Sequence, residues 1–181
     1  MNIINLLRSK YYRTSLCSKE KRVDYLRSTG VKIGNGCDIF PIVDFGSEPY
    51  LVTIGNRVKI TTGVSFITHD GGVHVLRNMD LLPNADIFGK IIVNDNVFIG
   101  VNSTIMPGVE IGENSIIGLG SVVTKNIPPN SVVAGVPARV IRDIHSYYEK
   151  YKDRIDYTKS MSPEEKRKYI THKYSNKNKT I

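Results

Sequence analysis

Residues 93–128 read VNDNVF, IGVNST, IMPGVE, IGENSI, IGLGSV and VTKNIP, which are six consecutive units of six residues. Every unit opens with Ile or Val, at positions 93, 99, 105, 111, 117 and 123. A helix repeats its apolar face near every 3.6 residues and a strand near every second residue, so neither period explains this spacing. A fixed interval of six residues indicates a structural repeat instead.

Such a unit suits a short strand followed by a sharp corner, and three units make one triangular coil of a parallel β-helix. The opening aliphatic residue points inward. A second inward position is expected four residues later, at Val97, Ser103, Val109, Ser115, Ser121 and Ile127. Corners need a left-handed backbone, which glycine and asparagine tolerate best, and such residues occur at Gly100, Gly108, Gly112, Gly118, Gly120, Asn96, Asn102 and Asn114. The pattern predicts an all-β core.

The repeat begins near Val31 and is interrupted twice. Ile39 and Ile54 are fifteen residues apart, so three residues leave the phase within FGSEPYLV. Phase returns with units that open at Ile54, Ile60 and Phe66. Residues 70–90 then carry no hexad, and we expect them to leave the coil as a loop. A loop of that length in a compact fold is more often functional than idle.

Both ends of the chain are predicted to be helical. Residues 1–30 form an N-terminal cap of two short helices, the first with an apolar stripe at residues 3–11 and the second after an N-cap at Ser18. The β-helix domain covers residues 31–142, with the pattern persisting through NSVVAGVPARVI. Residues 143–181 form an extension: a helix over 143–157, a second helix from Ser162 to about Thr171, and a disordered tail.

The 181-residue chain has a net charge of +8, and the charge is concentrated at its ends. Residues 1–32 and residues 139–181 each carry +6, which leaves −4 between them. The basic ends are either solvated helical faces or contacts for a membrane surface or a phosphorylated ligand. No nucleic-acid-binding motif occurs. Two cysteines make no disulfide framework, and the absence of a secretory signal or an apolar span predicts a cytoplasmic protein.

The segments FITHDGG at residues 66–72 and IGVNSTIMPGVEIGENSIIGLGSVVTKNIPPNSVVAGVPARVIR at residues 99–142 carry a family resemblance. They resemble the hexapeptide-repeat acyltransferases, especially sugar O-acetyltransferases of the galactoside, maltose, capsule and O-antigen types. The resemblance implies a left-handed coil, acetyl-CoA as co-substrate, and a homotrimer with each active site built across two subunits. It also implies that the loop at 70–90 reaches over the active site.

His69 is the candidate general base, because it ends a hexad at the mouth of the excursion, in a THDGG that resembles the family's catalytic segment. An imidazole, with an ordinary pKa near 6.5, can accept the proton of an attacking hydroxyl and return it to the departing thiolate. Asp44, Glu48, Asp70 or a backbone carbonyl could orient its other ring nitrogen. From the resemblance, Asp44 is the best match for a residue that binds the acceptor hydroxyls, and Asp70 is also predicted to bind the acceptor.

His69 and His74 have the H-x-x-x-x-H spacing of the zinc-binding carbonic anhydrases that share this type of fold, which would suit a metal site. Those enzymes need a third histidine from an earlier coil, and the remaining two, His145 and His172, lie beyond the repeat. The sequence therefore predicts no metal.

The resemblance also implies a cofactor site. Val101 and Leu119 would contact the pantetheine arm of acetyl-CoA through their backbone, and Thr124 and Lys125 would line it. Arg139 and Arg142 would meet the phosphates, for which the guanidinium fork is suited. Small residues are usual in the sugar acetyltransferases where this chain has Val101 and Leu119.

These features predict an acetyl-CoA-dependent O-acetyltransferase acting on a sugar or a polysaccharide precursor of a capsule, O-antigen or exopolysaccharide. The first alternative is N-acetylation of a nucleotide-linked amino sugar, although the added α/β domain common in that class is absent. The second is a non-catalytic hexapeptide scaffold that binds a partner through its basic ends. A peripheral membrane contact of the basic N-terminus is a further alternative, and no nucleic acid partner is expected.

Overall fold

A computed structural model describes residues 10–12, 14 and 16–175. Among them, thirteen strands alternate with corners and four helices. The strands are β1 Lys32–Ile33, β2 Asp38–Ile39, β3 Val52–Ile54, β4 Lys59–Ile60, β5 Ser65–Phe66, β6 Ile91–Val93, β7 Phe98–Ile99, β8 Thr104–Ile105, β9 Glu110–Ile111, β10 Ile116–Ile117, β11 Val122–Val123, β12 Ser131–Gly135 and β13 Ala138–Asp143. The helices are α1 Lys19–Ser28, α2 Val73–Asn78, α3 Ile144–Tyr151 and α4 Pro163–Ser175.

The strands form the three walls of a prism. Face 1 holds β1, β3, β6 and β9; face 2 holds β2, β4, β7, β10, β12 and β13; face 3 holds β5, β8 and β11. From β3 to β11, successive strands of the chain fall on successive faces, and the strands from β6 to β11 each pair in parallel with the strand one coil earlier. In the uninterrupted part, Phe98 pairs with Ile116 and Thr104 with Val122, eighteen residues apart. The predicted coil of three hexads is confirmed.

The aliphatic side chains fill the interior of the prism. Ile99, Ile105, Ile111, Ile117 and Val123 are completely buried. The second predicted position is buried as well, at Val97, Ser103, Val109, Ser115, Ser121 and Ile127. Its serines are accommodated because their hydroxyls donate to backbone carbonyls, as Ser121 Oγ does to Gly118 O at 2.6 Å. Each coil therefore adds apolar burial without leaving these hydroxyls unpaired.

The coil departs from the six-residue rule after Val123. Ile127 bridges Ile111, and Val133 pairs with Ile117, so this last coil spans sixteen residues and is two residues shorter than the hexads predict. The following strand, β12, continues face 2 by pairing in parallel with β10. β13 then turns back and pairs antiparallel with β12, because Gly135 takes a left-handed backbone (φ 103°) beside Pro137. The expectation that NSVVAGVPARVI continues the repeat is therefore confirmed for β12 and wrong from Gly135 on.

The excursion at residues 70–90 leaves and rejoins the coil at one point. Asp70 N donates to Ile87 O and Gly89 N donates to Thr68 O, both at 2.9 Å, and the two ends meet in an antiparallel bridge. The sequence pattern predicts a loop, but the segment also contains α2, whose first residue, Val73, is buried. A short 3-10 helix, Pro49–Leu51, occupies the earlier interruption.

Helix α1 packs on the first coil. Ser18 caps it as predicted, and Val23 joins the interior cluster with Val31 and Ile39. Arg22 is only 5% exposed, and its guanidinium donates to the carbonyls of Tyr12, Thr14, Cys17 and Ile39. Residues 1–9, which include most of the first predicted helix, lie outside the described residues.

The C-terminal part divides from the rest of the chain between Tyr147 and Tyr148. α3 begins before this division and ends at Tyr151. A 3-10 helix, Lys152–Arg154, follows it, so the helix does not continue to residue 157 as predicted. Ser162 and Glu165 form the predicted capping box, with Glu165 N donating to Ser162 Oγ at 3.2 Å. α4 runs to Ser175, beyond the predicted end, and residues 176–181 of the predicted disordered tail are not described. No helix in the described part is both long and apolar enough to cross a bilayer.

The prism predicts where a side-chain truncation is costly. Ile99→Ala should lower the free energy of unfolding by about 2 to 5 kcal/mol, because it leaves a cavity between rigid walls. Ile141→Ala removes the same atoms from a side chain that is 54% exposed, and should cost less than about 1 kcal/mol. Urea denaturation of both variants at one protein concentration measures the difference. Equal losses would contradict an interior held by the aliphatic positions.

Candidate active site

His69 lies where face 3 ends and the excursion begins. Thr68, its neighbour, is completely buried, whereas the His69 side chain is 46% exposed. The His69 backbone bridges Phe88 on the returning arm of the excursion, and the two rings meet edge to face with centroids 6.5 Å apart. The imidazole is thus held by a strand on one side and by the excursion on the other.

Glu48 supplies the partner of the imidazole. Its Oε2 lies 3.1 Å from His69 Nδ1, and Ser47 Oγ lies 3.4 Å from the same nitrogen. A carboxylate cannot donate, so the arrangement favours the tautomer in which Nδ1–H donates to Glu48 and Nε2 keeps its lone pair. Of the alternatives that the sequence leaves open, the geometry therefore selects Glu48.

Thr68 fixes the Glu48 carboxylate in turn. The Thr68 hydroxyl donates to Glu48 Oε2 at 2.6 Å. This bond, with further contributions from Ser47 and His69, holds the pKa of Glu48 below its ordinary value of 4.5. Glu48 therefore stays ionised beside the imidazole at neutral pH, even though its side chain is only 16% exposed.

A turn just before Ser47 brings these residues together. Asp44 Oδ1 accepts a hydrogen bond from Gly46 N at 3.1 Å. Gly46 itself is left-handed (φ 68°), and a Cβ there would lie 2.9 Å from Thr68 Oγ1, so only glycine fits at this contact. Asp44, the predicted acceptor-binding residue, thus shapes the turn and does not line the cleft in which His69 lies.

That cleft has a volume of about 270 Å³ and is lined on the coil side by Ser47, Glu48 and His69. The excursion supplies its other wall, formed by Asp70, Gly71, Val73, Arg77, Asp86, Ile87 and Phe88. Arg77 braces this wall by donating through Nη1 to Ala85 O and to Asp86 Oδ1, at 2.7 and 2.6 Å. Asp70 stays at the cleft, with Oδ1 accepting from Gly72 N at 2.8 Å. His74 contacts Asn78 instead of this cleft.

The predicted cofactor residues fall on other parts of the prism. Val101 and Leu119 lie one above the other at the corner between faces 2 and 3, where Gly120 N donates to Val101 O at 2.8 Å. Both side chains are exposed, Leu119 by 79%. Arg139 pairs with Ala134, and Arg142 with Val132, on the hairpin that closes face 2. Arg139 is therefore separated by β12 from β10, the strand that precedes Leu119.

Thr124 and Lys125 follow β11 at the corner between faces 3 and 1, and both are exposed. This is the corner at which His69 also leaves the coil, two coils earlier. None of the six predicted cofactor residues lines the His69 cleft. Within one subunit, Val101 and Leu119 thus border the edge of face 3 opposite His69, whereas Thr124 and Lys125 share the corner of His69.

The sequence pattern does not identify several of the residues that form the site. Ser47 and Phe88 lie in segments without hexads, and the Arg77–Asp86 pair forms only because the excursion folds back. Thr68 stands next to the histidine in the quoted THDGG, but its interior position hides its contact with Glu48. The loss of phase between Ile39 and Ile54 was the one signal that something other than a coil wall occupies residues 45–51.

The Thr68–Glu48 bond predicts a pH dependence. A lowered carboxyl pKa stabilises the fold at pH values above the ordinary 4.5, and this contribution is lost as the pH falls through the lower folded-state pKa. Thr68→Val keeps the shape but removes the donor, so the pKa of Glu48 should rise toward 4.5. The stability difference from the parent should be largest at pH 7 and shrink below pH 4. Carbon-13 NMR of the Glu48 carboxyl and urea denaturation measure the two; an unchanged pKa would contradict the geometry.

Comparison with known proteins gives the family. The sequence model described as the hexapeptide repeat of succinyl-transferase matches residues 90–125. Over 153 residues the chain is 47% identical to Protein CapG of Staphylococcus aureus, covering 83% of this chain and 88% of that protein. It is 45% identical over 111 residues to the galactoside O-acetyltransferase of Escherichia coli (strain K12), covering 58% of this chain but only 53% of that relative's length.

A solved structure agrees with these relatives. The hexapeptide-repeat acetyltransferase VCA0836 of Vibrio cholerae O1 biovar eltor, complexed with acetyl-CoA, aligns with a TM-score of 0.60 and 26% identity. The alignment covers 76% of this chain and 84% of that one. The chain therefore belongs to the hexapeptide-repeat acetyltransferases, and its coil is the left-handed parallel β-helix that the family resemblance implies.

Proposed function

We propose that this acetyltransferase transfers the acetyl group of acetyl-CoA to a hydroxyl of a sugar or polysaccharide precursor, with His69 as the general base. The observation that carries the proposal is the 3.1 Å contact between Glu48 Oε2 and His69 Nδ1 at the edge of a cleft. It leaves Nε2 as the ring nitrogen available to a bound substrate. A half-exposed imidazole with one nitrogen fixed suits proton transfer better than packing.

The proposed step needs no covalent enzyme intermediate. His69 Nε2 takes the proton of the acceptor hydroxyl while that oxygen attacks the thioester carbonyl. The carbon–sulfur bond then breaks, and the imidazolium returns the proton to the departing thiolate, which gives an acetyl ester and free CoA. Glu48 acts as a positioning residue in this scheme, since it orients the ring and stabilises the transient imidazolium.

Acetyl-CoA fits the exposed residues at the edge of face 3. Val101 and Leu119 offer backbone groups and an uncovered apolar surface to the pantetheine arm. Thr124 and Lys125, at the opposite edge of face 3, would line the arm from a neighbouring copy. Arg139 and Arg142 provide guanidinium donors for the phosphates. The acetyl-CoA complex of the Vibrio relative supports this choice of co-substrate. Supply of acetyl-CoA also favours a cytoplasmic site of action.

The acceptor would enter the cleft between Glu48 and the excursion. Asp70 can accept hydrogen bonds from sugar hydroxyls, and Phe88 offers an apolar ring edge beside His69. Asp44 is a weaker candidate, because its carboxylate is turned toward Gly46 N. The galactoside O-acetyltransferase relative supports a sugar acceptor.

A homotrimer would complete the site. The His69 cleft and the Val101–Leu119 corner border opposite edges of face 3. The width of that face is at most the length of one extended six-residue unit, about 20 Å. If three prisms pack with face 3 turned toward a common axis, the cleft of one copy meets the Val101–Leu119 corner of the next. The catalytic and cofactor residues then line one groove between subunits, which neither copy forms alone.

Two assays separate this function from its rivals. Acetyl-CoA-dependent thiol release is followed with a panel of neutral saccharides and with UDP- or dTDP-linked amino sugars; a preference for the amino sugars would favour N-acetylation. Calorimetry with CoA is the second assay, because a non-catalytic scaffold should give no binding heat.

His69→Ala tests the base. We expect kcat to fall by about 10²- to 10⁴-fold, the usual contribution of general base catalysis, with an unchanged thermal unfolding midpoint. His74→Ala, a histidine outside the cleft, is the matched control and should keep near-parental turnover. A His69→Ala enzyme that retained near-parental kcat would remove the base assignment.

Mixed trimers test the shared site. His69→Ala and Leu119→Glu should each be inactive alone, because one lacks the base and the other places a charge on the pantetheine path. After co-expression, about a quarter of the interfaces would combine an intact His69 with an intact Leu119 of the neighbour. Thiol release should recover to about that fraction. No recovery in verified mixed trimers would mean that each site lies within one subunit.

A further inference from the structure

At the corner between faces 1 and 2, one residue differs in type from the residues stacked above and below it. In successive coils this corner is occupied by Gly36, Arg57, Asn96, Asn114 and Asn130, all with a left-handed backbone and φ between 54° and 68°. Glycine and asparagine adopt this conformation at little cost, whereas a long side chain does so with strain. Arg57 therefore adopts a backbone conformation (φ 54°) that its side chain disfavours.

The asparagines of this corner form a ladder that stops at Arg57. Asn96 Nδ2 donates to Asn114 Oδ1 at 2.8 Å, and Asn114 Nδ2 donates to Asn130 Oδ1 at 3.2 Å. An asparagine at position 57 would extend the ladder by one rung. Arg57 does not, and among the described residues its guanidinium has no hydrogen-bond acceptor within 3.5 Å and no ion-pair partner within 4.0 Å. The arginine thus forgoes a local stabilising contact.

Arg57 instead borders a groove on face 2. The groove has a volume of about 240 Å³; Phe98 and Ile116 form its floor, and Ile144 and the asparagine ladder form its sides. The Phe98 ring is 37% exposed there. A groove of this kind offers an apolar surface and amide groups to a small ligand, with a cation at its rim.

The charges at the groove favour an anion. Residues 33–138 carry a net charge of −4 with five basic residues, yet two of those five, Arg57 and Lys59, line this groove. Lys59 Nζ lies 3.3 Å from Asp38 Oδ2, and Lys19 Nζ lies 2.8 Å from the same oxygen. Asp95, the carboxylate that interacts electrostatically with Arg57, already accepts hydrogen bonds from Asn56 N and Nδ2. The guanidinium therefore remains available to an incoming anion.

We infer that this groove is a binding site for a phosphate ester with a flat or apolar body, separate from the His69 cleft. The phosphate contacts Arg57 and Lys59, because a guanidinium fork and an ammonium match its oxygens. The organic part covers Phe98 and Ile116. The inference does not depend on the proposed function, since the groove shares no residue with the His69 cleft.

Arg57→Asn is the decisive variant, because it separates ligand binding from folding. Phenyl phosphate is the probe. Inorganic phosphate, which lacks the ring, and phenol, which lacks the phosphate, are the control ligands. In proton–nitrogen NMR at matched ionic strength, phenyl phosphate should shift the amides of Asn96, Phe98 and Ile116 and bind more tightly than either half. Arg57→Asn should weaken it by about tenfold or more, the loss expected for a charge-assisted contact.

The same variant should be more stable than the parent. Asparagine relieves the left-handed strain and extends the ladder, so the thermal unfolding midpoint should rise by about 2 °C. Arg154→Asn, which removes another exposed guanidinium, is the control and should leave binding at the groove unchanged. Phenyl phosphate affinity unaffected by Arg57→Asn, or a lowered unfolding midpoint in that variant, would overturn the inference. Turnover on sugars is not part of the test, so failure of the acetyltransferase proposal would be distinguishable.

Discussion

The structure depends on burying one aliphatic side chain at every sixth residue between three walls. Most of the strands in these walls are only two residues long, so no single strand supplies enough hydrogen bonds to stand alone. Each is held because a strand one coil away pairs with it and shares the same interior column; in the uninterrupted part, that strand is eighteen residues along the chain. The interior width is therefore constant, and small hydroxyl residues such as Ser103 fit only because a carbonyl of the wall accepts their proton. Packing and pairing enforce each other.

That mutual support explains how the coil can be opened without losing register. The excursion separates β5 from β6, yet Phe66 still pairs with Ile105 and Ile54 still pairs with Val93 across the interruption. The chain can thus leave the prism at a corner, fold α2, and return to the wall. His69 stands at that exit, and so it combines the rigidity of a strand end with the openness of a loop. The first interruption supplies Glu48 to the same place from the preceding coil.

The hexads predicted the architecture well because one physical rule, inward burial at a fixed interval, governs residues 93–123. They failed where other constraints prevail. Ile127 takes the interior place two residues early, and Gly135 reverses the chain into a hairpin; neither changes the local apolar pattern. The sequence also placed His69 at the mouth of the excursion, but could not choose among Asp44, Glu48 and Asp70 as its partner. That choice depends on how a non-repeating segment folds over buried Thr68, and periodicity carries no information about it.

The three corners of the prism differ in chemistry, and the difference bears on assembly. The corner between faces 2 and 3 presents Val101 and Leu119 to solvent, and such exposed aliphatic side chains gain stability when covered. The corner between faces 1 and 2 carries self-satisfied asparagine amides, which gain little from being covered. Packing through face 3, as in the proposed trimer, would bury the first corner against the His69 corner of a neighbour and leave the amide ladder in water. The groove beside Arg57 would then remain open in the assembled enzyme, on the side away from the reacting groups.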